Sequence, residues 1–456
     1  MRRSRFVVAA SAFVIATAIL GSGGPAAARS PSAPFVTSVR PFLVALDPGV
    51  VIQPILSTGD VVGSYQMSGV PDGIGWYESS PGTFEVYFNH ELHPDFNPSG
   101  ARVSHVTIDA NGGVTAAAYV IDGTEGYEWF CSSTLTTIDG VPWYTAGEES
   151  KHSPRNGMAF TYDVSTDTVT EAPWFGHLGH ENVVPVPGLS KAYVGLSEDG
   201  FSEFSQLYAY EASSFQGAFA GTQGGLRVWV PNREVPDHDP SSNDIEKGDT
   251  VKGHFELVPN ARNLLPLQLE KRVQAMGAWD FDRIEDQVND PNDPGTIYFT
   301  ETGRAHAYAP HGRVYVLRVD PGSPRRARLS LLLDSNVGDD IFSPDNVGIS
   351  DSALVIQEDR NWKKSGYNRV LVYDLASGAL TPVARTDPDQ SIVDEKGPGA
   401  WESSGVVDAS DAFGPGWWLL DVQAHDSEYN VPDESLVPDT ATDEGGQLEL
   451  VFIPGT

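Results

Sequence analysis

The stretch Arg313-Val314-Tyr315-Val316-Leu317-Arg318-Val319-Asp320-Pro321-Gly322 is a short β-branched and aromatic run that ends in a turn signal. The same strand-then-turn theme occurs at Arg369–Gly378 and Met158–Thr166, and similar runs recur along the whole chain. Alternation over ~4–8 residues between turn residues is typical of strands joined as hairpins. Recurrent hairpins predict an all-β fold and favour a β-propeller with about four strands in each blade. We expect six blades, and a pair of β-sandwiches is the alternative.

One segment departs from the strand pattern. Between residues 261 and 276, apolar side chains fall near helical spacing at Leu264, Leu267, Leu269, Val273 and Met276. Pro266 would lie in the first turn, where proline is tolerated. We therefore predict a short helical insertion before a blade. Residues 236–253, which are polar and acidic, are predicted to form a surface loop.

The first 28 residues have the layout of a signal peptide. Three arginines among the first five residues precede the apolar run Phe6–Leu20, and Ala26-Ala27-Ala28 supplies a cleavage site. The apolar run is short for a membrane span of ~20 residues. We predict export of residues 29–456 as one propeller domain without a membrane anchor. A retained anchor is the alternative, and the arginine pair is compatible with twin-arginine export.

The chain contains 62 acidic and 29 basic residues, which gives a formal net charge of −33. Such a charge repels nucleic acids and anionic membranes and favours the binding of cations. An anionic substrate would need bound metal ions that invert the local field. We therefore expect metal ions and small molecules as partners, no nucleic acid, and a monomeric protein.

Cys131 is the only cysteine, so it cannot form an internal disulfide. It is a buried apolar side chain, an intermolecular partner or a metal ligand. Short acidic clusters adjoin many strand patterns: Asn89-His90-Glu91, Glu148-Glu149, Gly179-His180-Glu181, Arg283-Ile284-Glu285-Asp286, Asp345-Asn346, Glu358-Asp359 and Trp401-Glu402. Carboxylates suit calcium, and a thiolate suits a transition metal such as iron. For each acid taken singly, an ordinary turn residue is the alternative.

In this order the motifs resemble those of the PhoX-type alkaline phosphatases, a family of secreted bacterial enzymes. The resemblance spans about residues 40–455. It rests on Phe88–Glu91, Cys131 followed by Pro142-Trp143 and Glu148-Glu149, Gly179–Glu181, Tyr193–Gly195, Met276–Asp286, Ser343–Asn346 and Glu402–Gly405.

The resemblance implies a six-bladed propeller with Fe³⁺ and Ca²⁺ at one end of its channel. There, phosphomonoesters would be hydrolysed with a metal-bound oxygen as the nucleophile. Cys131 would be the thiolate on iron, and Arg283 and Asn89 would contact the substrate. The implied carboxylate ligands are Glu91, Glu181, Glu285, Asp345 and Glu402, with one of Glu148 or Glu149 alongside.

Two other functions remain open for this sequence. One is a calcium-dependent propeller lactonase or phosphotriesterase, which holds one deep Ca²⁺ and needs no thiolate. The other is a non-catalytic calcium-binding propeller. Metal content separates them, because iron together with calcium favours the phosphatase and calcium alone favours either of the others.

Overall fold

The computed structural model describes residues 34–93, 100–200, 205–232, 245–303, 310–360, 366–425 and 444–456. The predicted signal peptide, residues 1–28, lies outside these ranges, as do residues 236–244 of the predicted surface loop. The chain from Pro34 to Thr456 forms one compact unit. Among the described residues, no helix has the length and apolar character needed to cross a membrane.

The described strands form six antiparallel blades. Four short strands come first: Leu43–Ala45 (β1), Val51–Ser57 (β2), Val61–Val62 (β3) and Tyr65–Gln66 (β4). Blade one contains Pro71–Ser80 (β5), Thr83–His90 (β6), Arg102–Asp109 (β7) and Val114–Ile121 (β8). Blade two contains Thr134–Ile138 (β9), Val141–Gly147 (β10), Ala159–Asp163 (β11) and Thr168–Glu171 (β12).

Blades three and four share one continuous sheet. Blade three contains His180–Val186 (β13), Ala192–Glu198 (β14), Tyr208–Ala212 (β15) and Gly225–Pro231 (β16). The strand Thr250–Leu257 (β17) pairs with the outer strands of both blades. Blade four contains Ile284–Asn289 (β18), Thr296–Glu301 (β19), Arg313–Val319 (β20) and Arg326–Asp334 (β21).

Blades five and six complete the ring. Blade five contains Pro344–Ile349 (β22), Ala353–Glu358 (β23), Arg369–Asp374 (β24) and Leu380–Thr386 (β25), and β1 adds to its outer edge. Blade six contains Trp401–Asp408 (β26), Trp417–Ala424 (β27) and Gly445–Phe452 (β28), with β2 as its outermost strand. Strands from both ends of the domain therefore close the ring within one blade.

The innermost strands β5, β9, β13, β18, β22 and β26 are neighbours in that order, and β26 packs against β5. Inner strands such as β13 are buried at every position, whereas outer strands such as β21 alternate between exposed and buried residues. This difference in burial follows from the position of each strand in its blade, because the inner strands are covered on both faces. Apolar clusters such as the one that joins Val184, Phe281 and Tyr315 pack the blades together.

The all-β propeller predicted from the sequence is confirmed, and the described strands make the expected six blades. Short helices occur at Phe215–Phe219 (α1), Pro266–Ala275 (α2), Gln390–Glu395 (α3) and Ser410–Phe413 (α4), with 3-10 turns at Pro173–Phe175, Ala261–Asn263 and Ser335–Val337. Helix α2 is the predicted insertion, with Pro266 in its first turn and Leu269 and Val273 buried. The loop prediction is wrong for residues 250–253, which belong to β17.

Candidate functional site: an anionic pocket at one end of the channel

Most of the innermost strands carry an acid as their second residue. These acids are Asp72 in β5, Glu181 in β13, Glu285 in β18, Asp345 in β22 and Glu402 in β26. Because successive blades repeat the same geometry around the ring, the acids converge on one end of the channel. They line a pocket of about 310 Å³. Its described lining residues are Asp72, Glu91, Cys131, Glu149, Glu181, Arg283, Glu285, Asp345, Asp359 and Glu402.

A β-bulge aims the acid inward in blades three, four and five. In each of these strands the pairing register shifts across the acid and the residue after it, as between His180 and Val183 in β13. A bulge leaves extra residues unpaired, bends the strand and re-aims its side chains. The bulges therefore turn Glu181, Glu285 and Asp345 into the pocket instead of leaving them in the ladder.

The residue after each bulged acid connects its blade to another part of the ring. The Asn182 amide of blade three donates to Asp286 Oδ1 of blade four, whose Oδ2 accepts from the Val347 backbone N–H at 3.0 Å. The Asn346 amide of blade five donates to Asp72 Oδ1 at 3.2 Å and to Ser132 Oγ at 2.9 Å. Hydrogen bonds between blades thus hold the base of the pocket in one arrangement.

Three innermost strands are preceded by a residue in the left-handed backbone region. Val70, Arg283 and Ser343 have φ of 50°, 68° and 50° and lie directly before β5, β18 and β22. Such a conformation is unfavourable for a side chain with a Cβ, above all for a β-branched valine. All three residues lie at the end of the ring where the acids gather.

The loop that carries Cys131 is fixed by close packing against blade one. A Cβ on Gly73 would lie 2.2 Å from the Ser133 backbone nitrogen, so only glycine permits this approach. The Asn89 amide donates to the Cys131 carbonyl at 2.7 Å, and its Oδ1 accepts from the Tyr144 hydroxyl at 2.7 Å. Asn89, predicted to contact substrate, is fully buried, does not line the pocket and instead positions the cysteine loop.

Glu148 and Glu149 are separated by the structure. Glu149 lines the pocket, and its Oε2 accepts from Cys131 Sγ at 3.0 Å. Glu148 is absent from that lining, and its carboxylate accepts from the Met158 backbone N–H and the Ser153 hydroxyl, both at 2.9 Å. Consecutive residues in extended chain point to opposite sides. Of the two, only Glu149 is therefore placed as a candidate ligand, while Glu148 ties down the loop that follows it.

The ligand atoms form four overlapping triads, and within each triad they lie within 4.8 Å of one another. The triads are Asp72–Glu91–Cys131, Cys131–Glu149–Glu181, Glu181–Glu285–Asp345 and Asp345–Asp359–Glu402. Shared members link each triad to the next, so the pocket offers adjoining positions for several cations. Most donors are oxygens, which suit calcium, and Cys131 supplies a sulfur beside them. The donor set therefore fits a mixed cluster of hard and softer cations.

Burial and mutual repulsion raise the pKa of most of these carboxyl groups. The pKa of Glu91 rises to about 7, because of burial first and then Glu402. Burial raises the pKa of Glu285 to about 8, although Arg283 opposes that shift. Burial and neighbouring acids hold the pKa values of Glu181 and Asp345 well above their usual range. Near neutral pH, such groups hold either protons or cations.

Glu402 is an exception among the pocket acids. Burial alone would raise its pKa, but the nearby His425 and the Ser404 hydroxyl, which donates to Glu402 Oε1 at 2.6 Å, outweigh burial and lower it. The His425 ring lies between Glu402, 3.7 Å from Nε2, and Glu444, 2.5 Å from Nδ1. The pKa of His425 is raised because these two acids outweigh the effect of its burial. One edge of the pocket therefore has its own fixed counter-charge.

Burial, followed by repulsion from Glu149, raises the pKa of the Cys131 thiol well above its usual range. The thiol is 5% exposed and is surrounded by carboxylates on the pocket side. A thiolate in this position needs a cation beside it. Without a cation beside it, the side chain is thus an uncharged and unreactive thiol.

Arg283 is the one basic side chain among the described residues that line the pocket. Its Nη2 and Nε lie 2.7 and 3.0 Å from Asp199 Oδ2, and Nη2 lies 3.2 Å from Glu285 Oε1. Burial opposes its charge, but Asp199 and Glu285 outweigh burial and raise its pKa. The side chain is 24% exposed, so the guanidinium is both anchored and accessible from the pocket.

Three acids of the site were not among the predicted site residues: Asp72, Asp359 and Asp199. Asp72 lies in Pro71-Asp72-Gly73, which reads as a turn but matches Pro344-Asp345-Asn346 at the start of β22. The repeat of an acid at the second position of most inner strands is the signal that identifies it. Asp359 and Asp199 each come directly after the second strand of their blade, at the ends of β23 and β14.

Comparison with known proteins does not assign this chain to a family. No family model matches the chain, and no curated protein sequence matches it. A protein of unknown function from Dyadobacter fermentans is 7% identical with a TM-score of 0.44, and the match covers 89% of this chain and 100% of that one.

Two enzymes are among the other similar solved structures. The alpha-L-arabinanase of Penicillium chrysogenum is 10% identical with a TM-score of 0.44 and covers 89% of this chain and 98% of its own. The soluble aldose sugar dehydrogenase of Escherichia coli is 9% identical with a TM-score of 0.39, and the match covers 88% and 99% of the two chains.

Proposed function

We propose that this chain is a metal-dependent phosphatase that hydrolyses phosphomonoesters and binds calcium and iron in the anionic pocket. One observation carries the proposal. Among the described residues, eight carboxylates, one thiol and one guanidinium line a single pocket of about 310 Å³. We further propose that the protein acts outside the cell, on the basis of the signal-peptide pattern in residues 1–28.

The number of acidic groups in the pocket favours the binding of several cations over the binding of one. Unloaded, eight confined carboxylates would repel each other and exclude a phosphate dianion. Four adjoining triads that include a sulfur are more than a single deep calcium requires. They favour the phosphatase over a lactonase or phosphotriesterase with one Ca²⁺.

The chain's own groups have distinct roles in this proposal. The inner-strand carboxylates would hold calcium, and Cys131 would be the ligand that favours iron. When bound, such ions act as Lewis acids that withdraw charge from phosphate oxygens and acidify water. Positioning and charge neutralisation supply most of the catalysis of phosphoryl transfer. The protein therefore needs to orient the ester more than to react with it.

Arg283 would bind the phosphate oxygens. A guanidinium matches two phosphate oxygens in a bidentate pair, and its charge does not depend on pH in the working range. Asp199 holds Nε and Nη2 of that guanidinium, which leaves Arg283 little freedom to rotate. Asp199 is thus a positioning residue. Arg283 would therefore present a fixed guanidinium to the phosphate of an ester bound in the pocket.

The proposal is tested by hydrolysis of p-nitrophenyl phosphate at alkaline pH, together with elemental analysis of the purified protein. We expect hydrolysis that depends on calcium, and both iron and calcium in the protein. A lactone and a phosphotriester are assayed in parallel. Calcium without iron, with turnover of either parallel substrate and none of the monoester, would show that the phosphatase assignment is incorrect.

A further inference from the structure

A row of three basic side chains crosses three adjacent strands on the outer wall of the propeller. In the strand register, Arg328 of β21 pairs with Lys252 of β17 on one side and with Arg318 of β20 on the other. All three are exposed, while their sequence neighbours Val251, Leu317 and Leu329 are buried. Paired residues of antiparallel strands share a face of the sheet. The three cations therefore project side by side.

A second pair extends this row into a pocket. His254 of β17 pairs with Arg326 of β21, two residues along each strand and on the same face. The pocket has a volume of about 600 Å³. Its described lining residues are Asn232, Lys252, Gly253, His254, Arg318, Val319, Asp320, Arg326, Ala327 and Arg328. Among these residues, Asp320 is the one acid against three arginines and a lysine.

Like charges directly opposite one another on a sheet are destabilising. In the described ranges, no acid forms an ion pair with Lys252, Arg318 or Arg328. Neighbouring arginines do have partners, because Arg313 of β20 pairs with Asp334 at 3.0 Å and Arg325 pairs with Glu211 at 2.7 Å. The chain has about twice as many acids as bases, yet no acid of the described residues neutralises this basic row.

We propose that this outer basic pocket binds a compact molecule that carries several phosphate or sulfate groups. Arginine side chains pair with tetrahedral oxyanions in bidentate fashion, and three adjacent cations match an anion with more than one such group. The volume lies in the range of small-molecule sites, roughly 300–1,000 Å³. The net charge of −33 disfavours a long polyanion that would extend beyond the basic pocket. This proposal does not depend on the phosphatase assignment.

The test is calorimetric titration of the full chain with inositol hexakisphosphate and, separately, with sucrose octasulfate, with calcium in excess. The sulfated probe cannot be a phosphatase substrate, so its binding is independent of the proposed reaction. We expect saturable binding of at least one probe. Binding of one probe or of both assigns phosphate, sulfate or either group as the ligand chemistry.

Arg328→Gln should weaken that binding at least about 10-fold, since it removes the central charge of the row. Lys271→Gln, at an exposed lysine on α2, removes one charge elsewhere and should leave binding unchanged. In the absence of probe, Arg328→Gln should also raise the melting temperature, because it relieves repulsion from both neighbours. Failure of both probes to bind, or equal effects of the two variants, would overturn the proposal. Preferential binding of duplex DNA or of anionic vesicles would do so as well.

Discussion

The anionic pocket in the channel and the basic pocket on the outer wall both collect charge of one sign, but they differ in burial. Glu181 and Glu285 are each only 3% exposed, whereas Lys252, Arg318 and Arg328 are all exposed on strand faces. Water and salt screen the outer charges, and repulsion there costs little. Charges in the interior are screened far less, so the inner cluster must be neutralised.

The two pockets make different demands on their ligands. In the channel, protons or metal ions are part of the folded structure, because eight carboxylates cannot all be ionised there alone. On the outer wall, the protein is complete without a ligand and binding adds an interaction. Removing an inner ligand should therefore change activity and stability together, while removing an outer charge should change binding alone or slightly stabilise the free protein.

Metal removal tests the inner half of this comparison most strongly. Treatment with EGTA at pH 8 should lower monoester hydrolysis by more than about 1,000-fold, since bound ions supply several kcal/mol of transition-state stabilisation. Rates are measured with p-nitrophenyl phosphate before and after dialysis against calcium. Undiminished activity in EGTA would mean that the acids are structural only.

The Arg283→Ala substitution should have the second largest effect on activity. We expect a loss of about 2–5 kcal/mol in transition-state binding, or ~30- to ~5,000-fold in kcat/KM, if the guanidinium pairs with phosphate in a desolvated pocket. Arg283→Lys keeps the charge without the bidentate fork and should retain part of the rate. The melting temperatures of both variants are compared, because the change also leaves Asp199 without this partner. Normal kcat/KM in the alanine variant would remove Arg283 from the site.

The Cys131→Ser variant tests iron binding separately from calcium binding. We expect the fold and the calcium content to persist while iron is lost, with a fall in activity of at least the ~10–100-fold that is typical when a supporting residue of a metal site is mutated. Ser133→Ala changes the same loop outside the pocket lining and is the matched control. Elemental analysis reads out both ions, and iron at full occupancy in Cys131→Ser would refute the thiolate assignment.

Glu148 and Glu149 allow a comparison between adjacent residues. Glu149→Gln should lower metal content and activity, because its carboxylate belongs to the Cys131–Glu149–Glu181 triad. Glu148→Gln should leave metal content unchanged but cost about 1–3 kcal/mol of stability, since an amide NH₂ would meet backbone or hydroxyl donors. Denaturation and elemental analysis of both variants provide the measurement. Equal metal loss in the two would contradict the structure's separation of this pair.

The pH dependence of stability should reverse on metal loading. In metal-free protein the pKa of Glu91 is about 7 and that of Glu285 about 8, both above the ordinary glutamate value of 4.5. Between pH 4.5 and 8 the folded state therefore holds protons that the unfolded chain has released, and stability falls as pH rises. Loaded protein should gain stability over the same range, because its ligands bind as anions. Thermal unfolding of both forms measures the two slopes, and parallel slopes would contradict cation binding by these acids.

The fold could be read from the sequence because its signal is repeated many times. The β-branched and aromatic run Arg313–Val319 is a local property of the sequence, and the structure has β20 over those residues. The ring order of the inner strands is not local, so the position of the acids around the pocket had to come from the structure. Strand β17 also escaped prediction in part, since Thr250–Gly253 is polar at the edge where it bridges two blades.

The site was only partly predictable for two physical reasons. Glu148 and Glu149 have the same chemistry, and only the direction of the extended chain decides which one faces the pocket. Asn89 lies in the same motif as Glu91 but points into the protein, where its amide is used by the Cys131 carbonyl. Asp72 is the reverse case. Its local sequence is typical of a turn, and it becomes a pocket residue only because ring closure brings it there.

The junction of β2 with β28 has a consequence for the order of events during biosynthesis. Asp72 belongs to the first blade and Glu402 to the last, and their strands β5 and β26 become neighbours only after the ring shuts. In the proposed metal site, the position formed by Asp345, Asp359 and Glu402 is therefore complete only when the final blade has folded. A chain that lacks β28 should have an open ring and should lose the ion proposed for that position.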